Sequence, residues 1–234
     1  MNSLKQIARR AGFFYLLMVI TGPFVLLYVP GKLFVPADAT ATVNNIATHE
    51  TLFRVYIVVG LISETVFIIT VALLYRLFKD VNKTLATIML AIILLDAPIA
   101  FMSMANQVAT LSFVTNADIL SVFDKPQRDA LATFLISVDQ HGVFVSELFW
   151  GLWLLPLGVL INRSNFISRV VGYWIILNGI AYVIMSFTGI MLPQYQGIVK
   201  TVMYPAIFGE VALMLWLLIV GVKPKPVIQT AATM

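Results

Sequence analysis

Six stretches of this sequence, each about 20 residues or longer and almost wholly apolar, dictate what the chain can become. They run over about 11–30, 53–78, 85–112, 141–162, 170–191 and 200–222. At 1.5 Å per residue, about 20 helical residues cross the roughly 30 Å hydrocarbon layer of a bilayer. Lipid gives a free backbone group no hydrogen-bond partner, so each stretch must be a helix. The expected fold is all-α: one domain over residues 1–234, a polytopic membrane bundle of six transmembrane helices.

Composition excludes the soluble alternatives. Apolar residues make up 60% of the chain and charged residues 11%, against about a quarter charged in a soluble globule. The mean hydropathy of +0.95 agrees. There is no cysteine, so disulfides, thiolate metal sites and cysteine nucleophiles are out. The net charge of +4 is small for a nucleic-acid binder, and the basic residues sit in short loops between apolar runs. Membrane lipids are the expected surroundings, and nucleic acid is not an expected partner. Lys5, Arg9 and Arg10 precede the first apolar run as in a signal peptide. That run is long enough to span, however, and "VPGKLFVPAD" is a poor cleavage site, so the first helix is expected to be retained.

Loop charge sets the orientation. With the N-terminus inside, the inner side holds Lys5, Arg9, Arg10, Arg76, Lys79, Lys83, Arg163, Arg169, Lys223 and Lys225. The outer side holds Lys32, Arg54, Lys125, Arg128 and Lys200. Ten against five follows the positive-inside rule, so both termini are expected in the cytoplasm and the protein in the cell membrane. The acids lean the other way, with Asp38, Glu50, Asp118, Asp124 and Asp129 outside and Asp80 inside. Two outer segments predict short interfacial helices. Asp38 is placed to cap one, and Pro126 starts another that runs into the fourth span. The tail "KPKPVIQTAATM" reads as a frayed end.

Prolines lie inside four spans, at Pro23, Pro98, Pro156 and Pro205. Each removes one backbone hydrogen bond and bends the helix. Polar residues share those spans. Glu64, Asp96 and Glu210 fall near mid-span, Asn178 lies at the same depth, and Glu147 is roughly 7 Å below the outer end of the fourth span. A charged acid at that depth costs on the order of 2.5–3.5 kcal/mol, so none should face lipid. The reading finds no lysine or arginine at comparable depth, and Arg54 and His141 stay near the outer rim. The acids are then protonated, hydrogen-bonded to neutral partners such as Asn178, Asn106 or tyrosines, or gathered round a bound cation.

Helical spacing groups the polar residues. Ala100, Ser103, Gln107 and Thr110 fall within about 40° of Asp96. Asn178, Tyr182, Met185 and Gly189 share a face of the fifth span, and Gln140, Phe144, Glu147 and Gly151 share one of the fourth. The inner halves, such as "MLAIILL" before Asp96 and "VALMLWLLIV" after Glu210, carry no polar side chain. Asp96 is therefore expected at the floor of a polar pocket open to the outside, above a dry plug. The competing reading is that these residues only glue helices together.

Other chemistry finds little support. Two histidines, His49 and His141, are too few for a histidine-rich metal site, and no metal or cofactor site is expected. HExxH, GxSxG, P-loop and GxGxxG patterns are missing. Trp150, Trp153, Trp174 and Trp216 are read as lipid-facing or interfacial anchors. Splitting the chain three plus three matches Asp96 with Glu210 and Glu64 with Asn178, as in an inverted repeat.

Several segments carry a family resemblance: "ARRAGFFYLLMVITGPF", "VPADATATVNNIATHETLFR", "LYRLFKDVNKTLA", "DQHGVFVSELFWGLWLLPLGVLINRSNFISRVVGYWIILNGIAYV" and "FGEVALMLWL". In this order they resemble the bacterial membrane family catalogued as domain of unknown function 4386, over roughly residues 8–222. The resemblance implies a multi-pass bacterial membrane protein and no reaction. The functional expectation rests on the membrane argument alone. Glu64, Asp96, Glu147 and Glu210, with Asn178, Gln107 and His141, are expected to bind or transport a proton, cation or small cationic ligand. The alternatives are an intramembrane enzyme on a lipid-like substrate, with Glu147 or Asp96 as acid or base and His141 at the rim, or an accessory protein.

Overall fold

The computed structural model describes residues 2–36, 38–115 and 122–222, and among them there is no strand. Six helices are long and apolar enough to cross a membrane. The first span is α1 (Asn2–Pro23), a π-helical turn (Phe24–Tyr28) and α2 (Val29–Leu33). A short helix, α3 (Ala39–Thr48), follows. Then come α4 (Glu50–Phe78), α5 (Lys83–Thr115), α6 (Lys125–Ser164) and α7 (Arg169–Met191). The sixth span is α8 (Gln196–Leu215), entered by a short 3-10 turn and ending in a second π turn (Trp216–Val220).

The spans close into an annulus in chain order. α1 packs on α4, α4 on α5, α5 on α6, α6 on α7 and α7 on α8; α8 and its π turn return to α1. The α6–α7 contact is the most extensive, and its residues explain why. Gly151 meets the Gly179 carbonyl, and Gly158 meets the carbonyl of Gly172. Glycines seven apart on both helices let the backbones touch, which is how apolar helices gain packing in lipid.

Two apolar clusters lie inside. The larger fills the half nearer the two chain ends, with Phe78, Met89, Leu157, Ile175 and Leu217 among its buried members. It is the dry half expected from the unbroken apolar runs. The smaller, with Val29, Leu33, Ile46, Phe53, Ile57 and Leu111, sits towards the opposite end. Leu95, Met102, Val170 and Ile219 turn outwards, where lipid is their solvent.

Local chemistry sets the helix ends. Asp38 caps α3, its Oδ1 accepting from the Ala41 N–H at 2.8 Å, as its position in the sequence predicts. Asp124 caps α6 through a reciprocal capping box with Gln127. The sixth span ends where Gly221, at φ 69°, sends its N–H back to the Trp216 carbonyl at 2.8 Å.

The helix expected to start at Pro126 does run into the fourth span, and the two form a single helix of 40 residues, about 60 Å long. Once the capping box has started it, Gly142 interrupts nothing and the helix runs on through Pro156. It outreaches a bilayer, so its first turns stand beyond the hydrocarbon beside α3. Helix also continues through Pro98 and Pro205, and Pro23 leads directly into the first π turn. The readings made for Asp118, Lys223, Lys225 and the C-terminal tail lie outside the described residues.

Candidate functional site

Between the two apolar clusters lies a polar layer to which every span contributes. Asp96, from α5, is fully buried. Ser146 Oγ donates to its Oδ1 at 2.8 Å, and Trp150 Nε1 donates to its Oδ2 at 3.0 Å. Ser146 and Trp150 are four apart on α6, so one face of that helix delivers both donors. Glu64, from α4, is the neighbouring carboxylate, close enough for its charge and that of Asp96 to bear on each other.

Glu210, from α8, likewise has a donor on each oxygen. Tyr15 OH donates to Oε2 at 2.7 Å and Asn178 Nδ2 donates to Oε1 at 2.9 Å. The Tyr182 hydroxyl faces this carboxylate too. The two acid centres meet through aromatic rings. Trp150 stands edge-on to Tyr182 with centroids 5.9 Å apart, and Trp153 lies between Phe67 and Tyr15. Glu64 thus lies beside Asp96, and Asn178 is bonded to Glu210.

Glu147 sits one step nearer the end opposite the chain termini. It is 3% exposed and lies near Tyr182. The positive charge that bears on it is Lys200, though no ion pair within 4.0 Å joins them. The Lys200 ammonium lies 5.6 Å from the centre of the Phe144 ring. Its apolar stem lets it enter from the rim of α8 while the head seeks an aromatic face and a carboxylate.

The remaining predicted residues divide. Gln107 faces inward, donating from Nε2 to Tyr56 OH at 3.0 Å in a separate cluster where Asn106 Nδ2 donates to Asp139 Oδ1 at 3.2 Å. His141 is not brought to the acids. It is exposed and its Nδ1 lies 2.6 Å from the Ser137 carbonyl of its own helix.

The tryptophan reading is also corrected. Trp153 is 1% exposed, and Trp150 is a hydrogen-bond donor to Asp96 rather than a lipid anchor. Asp139, Tyr15, Ser146 and Lys200 were not assigned roles from sequence. Ser146 and Trp150 had a signal in their i, i+4 spacing beside Glu147; Tyr15, alone on its span, had none.

Two buried carboxylate oxygens in the layer, Glu64 Oε1 and Glu147 Oε2, have no hydrogen-bond partner among the described residues. Nor does Asn178 Oδ1. Two cavities among the described residues have no acid in their walls. One, of about 260 Å³, lies between α6, α3 and the segment before α3, with Thr42, Thr133, Ser137 and Gln140 in its wall. No group of three or more His, Asp and Glu among the described residues is arranged to hold a metal ion.

The family described as Domain of unknown function (DUF4386) matches residues 10–221. The chain belongs to that family. No curated protein and no solved structure matches it. As a DUF4386 member with six spanning helices it is a multi-pass membrane protein, and its polar layer lies within the matched region.

Proposed function

We propose that the polar layer binds or carries a proton, a cation or a small cationic ligand. One observation carries this reading: Glu64 and Glu147 each bury a carboxylate oxygen with no donor, beside Asp96 and Glu210, whose oxygens are all bonded. A buried carboxylate oxygen without a donor is completed by a proton or a positive charge. The fully bonded pair then frames the layer, and the incompletely bonded pair receives the ligand.

Ligand enters, in this reading, from the end opposite the chain termini. Gln140, in the wall of the 260 Å³ cavity, lies on the same face of α6 as Glu147, two turns away. The bias of basic residues in the loops supports that end facing outwards, with both chain ends on the cytoplasmic side of the cell membrane. The dry apolar half argues against an open channel and for binding or alternating access.

The test is flux into proteoliposomes. Wild-type protein carrying a trapped pH dye is given an inward proton gradient, then sodium, potassium or methylammonium gradients. Flux lost in both Glu64→Gln and Glu147→Gln is the expected result. Equal traces from wild type, the variants and empty vesicles, with no saturable binding of any of these cations, overturn the proposal.

A further inference from the structure

Lys200 is the feature that says most about which cation. Its ammonium lies over the Phe144 ring at 5.6 Å and is the positive charge bearing on Glu147, yet no ion pair within 4.0 Å joins them. Glu147 Oε2 is buried and unpartnered. The platform itself is held rigidly. A Cβ on Gly189 of α7 would lie 2.7 Å from the Phe144 ring, so only glycine lets the ring seat against that helix. His141 stands at 88° to the same ring, with centroids 6.0 Å apart.

An aromatic face and a buried carboxylate with a free oxygen make a receptor for an ammonium group. We propose that Phe144 and Glu147 form a binding site for primary ammonium compounds, and that the Lys200 side chain occupies its approach as a tethered internal stand-in. The inference rests on reading the acid layer as a cation site and narrows the ligand to an organic ammonium ion. A bare metal ion gains little from the phenyl face without a second aromatic. A primary ammonium uses the ring for its N–CH₂ end and gives an N–H to Glu147. External ligand displaces Lys200 towards the rim, where its stem is long enough to keep the head in water. His141 acts here as a positioning residue for Phe144.

Lys200→Ala removes three methylenes and the ammonium, which is the shape of n-propylammonium. The experiment measures thermal unfolding of purified Lys200→Ala in nanodiscs against n-propylammonium concentration, with n-propanol as the uncharged control. The expected result is saturable stabilisation by n-propylammonium and none by n-propanol. Adding Glu147→Gln weakens the apparent affinity at least tenfold, while wild type needs at least tenfold more ligand because Lys200 competes. Equal responses to the two compounds, or an unchanged affinity in Lys200→Ala/Glu147→Gln, overturn the site. Should Lys200→Ala fail to fold, Lys200→Met keeps the apolar stem and methylammonium replaces the missing head. Binding without flux would sink the transport reading and leave this site standing; proton flux with no ammonium binding would do the reverse.

Discussion

Ser146→Ala removes one donor from Asp96 and almost nothing else. Asp96 is 0% exposed, with Ser146 Oγ on Oδ1 at 2.8 Å and Trp150 Nε1 on Oδ2 at 3.0 Å. A neutral hydrogen bond between membrane helices averages about 0.6 kcal/mol and reaches about 1.7. A bond to a charged partner contributes about 1.5–3 kcal/mol. Trp Nε1 can only donate, and with Ser146 donating to the other oxygen both oxygens of Asp96 act as acceptors. With no water to replace the lost donor, Ser146→Ala is expected to cost about 1.5–3 kcal/mol. In Asp96→Asn the same substitution is expected to cost about 0.6 kcal/mol, which leaves a coupling of at least about 1 kcal/mol. The helix preference of alanine over serine appears in both backgrounds and cancels. Reversible unfolding in mixed micelles, followed by circular dichroism and by Trp150 fluorescence, gives the four free energies. A coupling within about 0.5 kcal/mol of zero, the limit for independent sites, would refute the claim that Ser146 serves Asp96.

Tyr15→Phe takes the donor from Glu210 Oε2 at a 1% exposed position without opening a cavity; a loss of about 1–3 kcal/mol is expected in the same unfolding assay. Gly151→Ala would drive a Cβ to 2.6 Å from the Gly179 carbonyl and force α6 from α7, costing about 1–3 kcal/mol. Gly60→Ala meets only the flexible end of Met104 and is expected to cost less, so the two melting curves should separate. The chain has no cysteine, so an impermeant maleimide maps its orientation: from outside intact cells it should label Thr40→Cys on α3, and it should label Asp80→Cys, in the turn before α5, only after lysis.

Six spans were legible because lipid leaves the backbone one solution, and the inward faces because polar residues there recur at helical spacing. Asn178, Met185, Ser186 and Gly189 are all buried on the face their spacing picks out. Boundaries were less legible where propensity and membrane depth compete. Nothing in "ALATFLISVDQHGVF" stops a helix, so α6 runs through the point where hydropathy alone would start the span. Partnerships were least legible. Tyr15 and Glu210 are 195 positions apart, and only closing the annulus brings the first and sixth spans together.

The two halves of the polar layer are alike in position and differ in which oxygen is left without a partner: a neutral amide oxygen, Asn178 Oδ1, in one and a carboxylate oxygen, Glu64 Oε1, in the other. In the second half an amide meets a carboxylate: Asn178 donates to Glu210 at 2.9 Å, and Tyr15 completes the other oxygen. In the first half two carboxylates, Glu64 and Asp96, are neighbours, and Glu64 keeps an oxygen with no partner. A carboxylate with both oxygens bonded is a good brace and a poor receptor for a cation; a carboxylate with a free buried oxygen is the converse. Glu64→Gln puts an amide where the second half has one, removes a potential like charge and keeps the volume. It is therefore expected to raise the melting temperature, as commonly happens when a strained functional group is relieved, and to abolish cation flux or binding. The same change in a layer that only packs helices would leave function and flux untouched in every assay. A Glu64→Gln protein that melts below wild type and still carries cations would show that Glu64 belongs to the brace, and the assignment of the first half as the receiving side would fall.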